Sequence, residues 1–304
     1  MSPSALVVGE ALIDEVVDGD RVHRHPGGSP ANVALGLARL GVPTVFHTAV
    51  GGDADGKLIE QHLNDSGVTL TRGSVTDART SKAIATLATD GSATYQFTVS
   101  WAPAELDDVG SPTLIHTGSL GAFLRPGAKV TKAILRRGKN LGALITLDPN
   151  IRTSLLPDTE STRASFEELV QFAHLVKLSD EDAGYLYPGT TTEDLLDSLV
   201  AGGAGVAVIT RGGEGAYLAS GGDRISIPAV KTLIVDTVGA GDSFMAAVIW
   251  SLAFTSDGWD GTPVSAERLT AVGTTAAHAA AITVSRPGAD LPHPSDLQTG
   301  TLKV

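Results

Sequence analysis

The sequence contains no cysteine, few aromatic residues and no long apolar run. Without cysteine, this chain of 304 residues cannot form a disulfide, a thiolate metal site or a cysteine nucleophile. No apolar segment approaches the roughly 20 residues that a membrane helix needs, and the N-terminus lacks a signal-peptide pattern. We therefore expect a cytoplasmic protein that does not engage a membrane.

Positive charge is also scarce, since 22 Lys and Arg residues face 34 Asp and Glu residues, for a net charge of −12. An acidic surface repels a polyphosphate strand, so we do not expect a nucleic-acid partner. A small phosphorylated compound stays compatible with this charge if helix N-termini and a bound cation supply local positive potential. Glycine is abundant at 35 residues, which suits an α/β enzyme with many tight loops.

Short apolar runs alternate with helical patterns along most of the chain. This alternation predicts an α/β fold with a Rossmann-like, doubly wound and mostly parallel sheet, whose ligands bind at the carboxyl ends of its strands. The candidate parallel strands lie at 5–9, 44–50, 113–117, 143–148, 175–178 and 206–210, and the candidate helices include 31–40, 56–66, 192–201, 240–254 and 266–284.

Two segments, about 12–25 and 81–101, interrupt the alternation. The second contains two strand-like runs around Asp90-Gly91, which is a strong hairpin signal. We expect residues 1–304 to form a single domain in which these two segments build a small β-sheet lid.

The strongest motif is Asp236–Phe244 (DTVGAGDSF), which leads into the helical pattern that ends at Phe254. Glycines on both sides of one alanine let several backbone N–H groups converge at a helix start, where the helix dipole adds about half a positive charge. Such an anion hole suits the charge that develops on a transferring phosphoryl group. Asp242 lies beside it and could take a proton from an attacking hydroxyl, although a first-turn Asp is also a common cap.

A second motif, Pro26–Ala34 (PGGSPANVA), precedes another helical pattern. Ser29 is the expected cap of this helix, with Pro30 at its first position. Paired glycines let a ligand approach the backbone closely, and a first-turn asparagine offers a donor and an acceptor, which suits vicinal hydroxyls. The residues that these roles leave free for a ligand are Gly27, Gly28 and Asn32.

The two motifs resemble the signature segments of the ribokinase-like (PfkB-type) carbohydrate kinases. The resemblance covers nearly the whole chain, from Gly9–Asp14 (GEALID) through Gly51–Gly56 (GGDADG) to Ser285–Ala289 (SRPGA). That family has a Rossmann-like sheet with a small β lid. Among its branches, the fructokinases are most similar, on Gly9–Asp14, Gly27–Asn32 and Leu147–Arg152 (LDPNIR). The resemblance implies an ATP-dependent kinase that phosphorylates a small sugar, with fructose the first candidate.

The resemblance also implies roles for the matching residues. Asp242 would be the catalytic base, and the anion hole would consist of Gly239, Ala240 and Gly241. Asp14 would hold sugar hydroxyls, although an acid after an apolar strand is often simply solvent-facing. The substrate-binding residues implied in full are Asp14, Gly27, Gly28 and Asn32, with Asn150 and Arg152 as further candidates for the substrate or the product phosphate. Asp148 ends the predicted strand that precedes Asn150 and Arg152, and it could equally anchor the turn at Pro149.

Thr210–Gly215 (TRGGEG) matches the nucleotide loop of the family and directly follows an apolar strand. The residues implied at the nucleotide are Thr210, Arg211, Gly212, Gly215 and Ser179. Arg211 could equally be a solvated arginine.

Two ion sites follow from the resemblance. Many relatives carry Asn-x-x-Glu where this chain has Ser179–Asp182 (SDED), a motif that organises magnesium and phosphate through water. Asp182 is one methylene shorter than Glu, so the sequence does not decide whether it reaches Mg²⁺ through water. Glu181 is the alternative residue for this contact. Asp236, with backbone carbonyls around Val238, Thr283 and Gly288, would bind potassium as in some relatives.

Several alternatives stand beside the fructokinase prediction. Another kinase of this type could act on 2-keto-3-deoxygluconate, ribose or a nucleoside, and a non-catalytic sugar or nucleotide sensor could use the same fold. The intact Gly-Ala-Gly-Asp argues against a sensor, which need not keep the base. Lid sheets pair between subunits in the family, so the resemblance also predicts a homodimer.

Overall fold

The structure is a computed structural model that describes residues 4–19, 21–87 and 93–298. Its strands are β1 (Ala5–Val8), β2 (Leu12–Asp18), β3 (Arg21–Gly27), β4 (Thr44–His47), β5 (Val50–Gly51), β6 (Val68–Leu70), β7 (Val75–Thr76), β8 (Lys82–Leu87), β9 (Ala93–Thr98), β10 (Leu114–Gly118), β11 (Leu144–Asp148), β12 (Leu175–Ser179), β13 (Val206–Thr210), β14 (Ala216–Ser220) and β15 (Asp223–Ile227). Its helices are α1 (Ser29–Arg39), α2 (Ala54–Asp65), α3 (Ser119–Phe123), α4 (Gly127–Asn140), α5 (Thr159–Val170), α6 (Asp180–Leu186), α7 (Thr192–Ala201), α8 (Ala240–Ala253), α9 (Ala266–Val284) and α10 (Pro294–Gln298).

Nine of the described strands form the main sheet, in the order β15-β14-β13-β12-β11-β10-β1-β4-β6. In this spatial order, the seven strands from β13 to β6 pair in parallel, and β14 and β15 are antiparallel additions at one edge. From β1 the chain first winds outward through β4 and β6, then returns and winds through β10 to β13. The predicted doubly wound fold is confirmed, and its topological switch lies between β1 and β10, where such sheets bind ligands.

Helices cover both faces of this sheet because its strands are apolar on both sides. One face packs against α1, α8 and α9 through buried side chains such as Val33, Met245 and Ala276. The other face packs against α4, α5 and α7 through residues such as Ile134, Phe166 and Leu195. The switch point is therefore framed by two rigid layers, and α1 and α8 meet beside it. Among the residues the structure describes, no helix has both the length and the apolarity to cross a bilayer.

A separate four-stranded sheet has the order β3-β2-β8-β9 and contains both segments predicted for the lid. The Asp90-Gly91 turn predicted between its last two strands lies outside the described residues. Ion pairs join this sheet to α2, since Asp55 Oδ2 lies 2.6 Å from Lys82 Nζ and Asp55 Oδ1 lies 3.9 Å from Arg24 Nη1. The small sheet thus carries Asp14, on β2, next to the body that carries Asp242.

Some sequence predictions were wrong in detail. The run 44–50 forms two strands, since β5 leaves the main sheet to pair with β7. Helices α3 and α6 were not predicted, because five and seven residues are too few for a helical period to show. The predicted bounds of β13 and α9 agree with the structure.

Candidate active site

The N-terminus of α8 is shaped by Gly239. This residue is the N-cap and has φ 78, a left-handed conformation that glycine adopts without the strain other residues incur. Within the described residues, no side chain caps the first turn of α8. Ala240 N donates to Thr237 O at 3.3 Å. The N–H groups of Gly239 and Gly241 are left to an external acceptor, as an anion hole would use them.

Asp242 lies in the first turn of α8 and is 8% exposed. Its Oδ1 accepts a hydrogen bond from Ser29 Oγ at 2.6 Å, and its Oδ2 accepts one from Asn32 Nδ2 at 2.7 Å. The two motifs therefore meet at this carboxylate, although they are more than 200 positions apart in sequence. Because these bonds orient both oxygens, Asp242 is held between the start of α1 and the anion hole.

The predicted cap role of Ser29 is wrong. The structure places the N-cap at Gly28 and finds no side-chain cap on α1. The helix begins one residue earlier than expected, so Ser29 is its first residue and Pro30 its second. At that position the hydroxyl is free to reach across to Asp242, and Ser29 becomes a residue that orients the candidate base.

Ser29→Ala should lower kcat roughly tenfold, because Asp242 loses one of the two hydrogen bonds that fix its orientation. Steady-state kinetics with the preferred sugar measure this effect. The matched control is Ser220→Ala, which removes a buried hydroxyl that donates to Gly205 O at 2.6 Å, beside the amino end of β13 and at the opposite end of that strand from Thr210. The control should lose stability and keep kcat, and equal kcat losses in the two variants would rule out the orienting role.

The predicted sugar side of the site combines Asp14 with Gly27 and Gly28. A β-carbon on Gly27 would overlap Asp14 Oδ2, so only glycine lets this carboxylate lie against the chain. Gly28 has φ 106, and a β-carbon there would lie 2.7 Å from Glu10 O. Burial raises the pKa of Asp14, while the positive charges of Arg152 and His25 oppose this shift.

Asn150 and Arg152 follow β11 at the same edge of the sheet. Asn150 has φ 37, a left-handed conformation that turns the chain away from the strand. Arg152 lies close enough to Asp14 and Glu10 to lower the pKa of each carboxyl, although burial raises the pKa of Glu10 overall to about 7. The structure thus brings the predicted substrate residues to one place.

A cavity of about 580 Å³ borders the predicted anion hole at Ala240 and Gly241. Gly241 and Phe244 of α8 line one wall, and the predicted nucleotide loop lines another. The third wall belongs to α9, whose small side chains leave room for a flat ring system. The predicted residues that line the cavity are Thr210, Gly212 and Gly215, together with Ala240 and Gly241 of the hole.

Arg211 and Ser179 sit differently from the other predicted nucleotide residues. Arg211 forms an ion pair with Glu214, and its guanidinium carbon lies 4.8 Å from the centre of the Tyr217 ring. Ser179 caps α6, with its Oγ accepting from Asp182 N at 3.0 Å. Both residues lie at the carboxyl ends of their strands, since Ser179 pairs with Thr210 in the sheet register and Arg211 follows Thr210. The roles predicted for them at the nucleotide stay predictions.

The two acids predicted at ions both bind backbone amides. Asp182 Oδ1 accepts from Ile151 N at 2.7 Å and Oδ2 accepts from Ser179 N at 2.9 Å. Asp236 Oδ1 accepts from Val238 N at 3.0 Å and Oδ2 from Gly288 N at 2.9 Å. The second set of bonds joins the segments predicted to surround potassium.

Sequence reasoning missed Lys177, a buried lysine whose Nζ lies 2.7 Å from Asp148 Oδ2. A single lysine in an apolar strand gave the only signal for it. The reasoning also missed the cavity wall formed by Ala277, Ala280 and Ala281 of α9. The unusual alanine content of that helix was a signal that a ligand or another backbone approaches it closely.

The family of the chain follows from its similarity to known proteins. A model of the pfkB family of carbohydrate kinases matches residues 4–296. The chain belongs to this family. The predicted enzyme class, an ATP-dependent carbohydrate kinase, is thereby confirmed.

Relatives within the pfkB family include several fructokinases. The chain is 30% identical over 265 residues to a fructokinase of Klebsiella pneumoniae, covering 83% of this chain and 85% of that protein. It is 32% identical over 259 residues to a fructokinase of Rhizobium leguminosarum bv. trifolii, covering 81% and 79% respectively. A solved fructokinase structure from Vibrio cholerae O395, with fructose, ADP and potassium bound, superposes with a TM-score of 0.83 at 26% identity and covers 97% of each chain.

Proposed function

We propose that this pfkB-family kinase is a fructokinase, which transfers the γ-phosphoryl group of ATP to a hydroxyl of fructose. The observation that carries the proposal is the position of Asp242. Ser29 and Asn32 donate hydrogen bonds to its carboxylate. The proposed anion hole, Gly239–Gly241, directly precedes Asp242 in the chain, and its Ala240 and Gly241 line a cavity of about 580 Å³. A hydroxyl at the carboxylate and a phosphate at the hole would be adjacent.

In the proposed mechanism, the sugar lies between Asp14 and the start of α1, under the small sheet. Asp242 accepts the proton of the attacking hydroxyl, and the hydroxyl oxygen displaces ADP from the γ-phosphorus in line. The backbone N–H groups of Gly239–Gly241 bind the oxygens of the transferring group as their charge grows. The nucleotide occupies the cavity beside α9, with Thr210, Gly212 and Gly215 near its phosphates and ribose.

Three observations favour fructose over an acidic sugar. Asp14 and Asp242 lie close enough that the charge of Asp242 raises the pKa of Asp14, and two neighbouring carboxylates suit hydroxyl donors better than a substrate carboxylate. The relatives at 30% and 32% identity are fructokinases. The solved fructokinase that superposes on the chain was determined with fructose and ADP.

The donors of the site suit magnesium only as an ion held mainly by phosphates and water. In the described part of the chain, no three His, Cys, Asp or Glu side chains gather into a metal site. Magnesium commonly uses one or two carboxylates beside substrate phosphates and water, and Asp182, with Glu181 as a substitute, would be its outer-sphere contact. When bound, it neutralises phosphate charge. Asp236 and the backbone near Gly288 would hold potassium.

A substrate panel tests the proposal. Fructose, ribose, 2-keto-3-deoxygluconate and adenosine are each added with ATP and Mg²⁺, and ADP release and the phosphorylated product are measured. Fructose should give the highest kcat/KM. Preference for another compound would reassign the substrate, and sugar binding without ADP release would indicate a sensor instead. Light scattering on the same sample tests the homodimer that we propose through the small sheet.

A further inference from the structure

A lysine and an aspartate form an ion pair under the anion hole. Lys177 Nζ lies 2.7 Å from Asp148 Oδ2, and the two residues are 4% and 1% exposed. They stand on the adjacent strands β12 and β11, directly after the last registered pair, Leu147 and Val176. Removing two charges from water costs several kcal/mol per ion, and well-packed apolar residues often replace such a pair without loss of stability. A stabilising role alone therefore does not account for it.

The ammonium lies directly beneath the anion hole. A β-carbon placed on Gly241 would be 3.6 Å from Lys177 Nζ. Gly241 therefore has the nucleotide cavity on one side and the ammonium on the other. Burial lowers the pKa of Lys177, but the carboxylates of Asp148, Asp182 and Asp242 outweigh this effect and raise it, so the side chain stays charged.

The surrounding polar groups are not arranged for maximal stability. Within the described residues, Asp148 Oδ1 and His116 Nε2 are buried without a hydrogen-bond partner. His116 Nδ1 is bonded to Thr146 Oγ1 at 2.9 Å, and the charge of Lys177 helps to lower the pKa of His116 to about 3, after the larger effect of burial. The imidazole is therefore neutral, and Lys177 supplies the positive charge in this buried cluster.

We propose that Lys177 is a positioning residue for phosphoryl transfer, whose ammonium, held by Asp148 under Gly241, adds positive potential to the anion hole in the transition state. This inference rests on the proposed function, since it assigns the hole to the transferring phosphate. The helix dipole contributes only about half a charge, while three carboxylates lie close enough to the ammonium beneath the hole to raise its pKa. A full charge on the sheet side offsets them without occupying the cavity.

The test separates this role from simple neutralisation of Asp148. Lys177→Met leaves a buried carboxylate unpaired and should lower both the melting temperature and kcat. The double variant Lys177→Met/Asp148→Asn removes both charges and should regain most of the melting temperature. Its kcat should stay at least ~10-fold below wild type, with the KM for sugar changed less than about threefold. Binding of ADP with aluminium fluoride and sugar should weaken, and binding of ADP alone should not.

A second neutral pair keeps the test decisive if the first does not fold. Lys177→Gln/Asp148→Asn gives two amides that can hydrogen-bond each other, and it should show the same kinetic pattern. Wild-type kcat and normal aluminium fluoride binding in a folded neutral pair would overturn the inference, because Lys177 would then serve only to neutralise Asp148. Failure of the proposed function is distinguishable, since the wild-type protein itself would then release no ADP with any sugar.

Discussion

Asp242→Asn is expected to fold normally and to bind both ligands, while kcat falls by about 10²–10⁴-fold. The amide keeps the shape of the carboxylate and can still accept from Ser29, but it cannot take the proton of the attacking hydroxyl. Steady-state kinetics give kcat, calorimetric titration gives the affinities for sugar and ATP, and thermal unfolding checks the fold. Near-normal turnover would remove Asp242 as the base.

The matched control for this substitution is Asp158→Asn. Asp158 caps α5, where its Oδ1 accepts from Ser161 N at 2.9 Å, and asparagine caps a helix about as well as aspartate. This control should leave kcat unchanged. It shows what the same substitution does at a true helix cap, so a loss of kcat confined to Asp242→Asn would be specific to the site.

Gly239→Ala is the second substitution with a large expected effect, a loss of about 10²–10³-fold in kcat. Alanine at φ 78 incurs backbone strain, and its β-carbon would lie 2.7 Å from Ala289 Cβ. The loop must shift, so the N–H groups of the anion hole leave their positions. Initial rates at saturating sugar and ATP measure the loss.

Gly67→Ala separates strain from loss of the hole. Gly67 has φ 86, close to the value at Gly239, and no heavy atom lies within 4 Å of the β-carbon position. Both variants should lose stability by about 1–2 kcal/mol through the left-handed conformation, as measured by chemical unfolding. Only Gly239→Ala should lose activity. Equal activity in the two proteins would mean that the position of this loop is not critical for transfer.

The sequence predicted those parts of the fold whose local pattern agrees with the tertiary structure. The apolar run that forms β13 and the long run rich in Ala and Thr that forms α9 had clear ends, so their bounds were predicted correctly. The break between β4 and β5 could not be predicted, because it depends on β5 finding a different partner strand. Pairing between distant segments leaves no local signal.

The candidate site was predicted where chemistry is concentrated in a short motif. Gly239–Asp242 and the glycines before α1 could be identified because their residue types and spacing have few other uses. Ser29 and Lys177 escaped for the opposite reason. A serine at a helix start is usually a cap, and a lysine is usually exposed, so only the three-dimensional contacts reveal what each one touches.

The two acids on either side of the proposed sugar site belong to different parts of the fold, Asp14 to the small sheet and Asp242 to helix α8 on one face of the main sheet. Their like charges favour separation when nothing lies between them. A sugar whose hydroxyls donate to both carboxylates would hold them together and bring the small sheet over the reacting atoms. The site would then close and exclude water only while a sugar is bound, which would protect ATP from hydrolysis in the absence of a sugar.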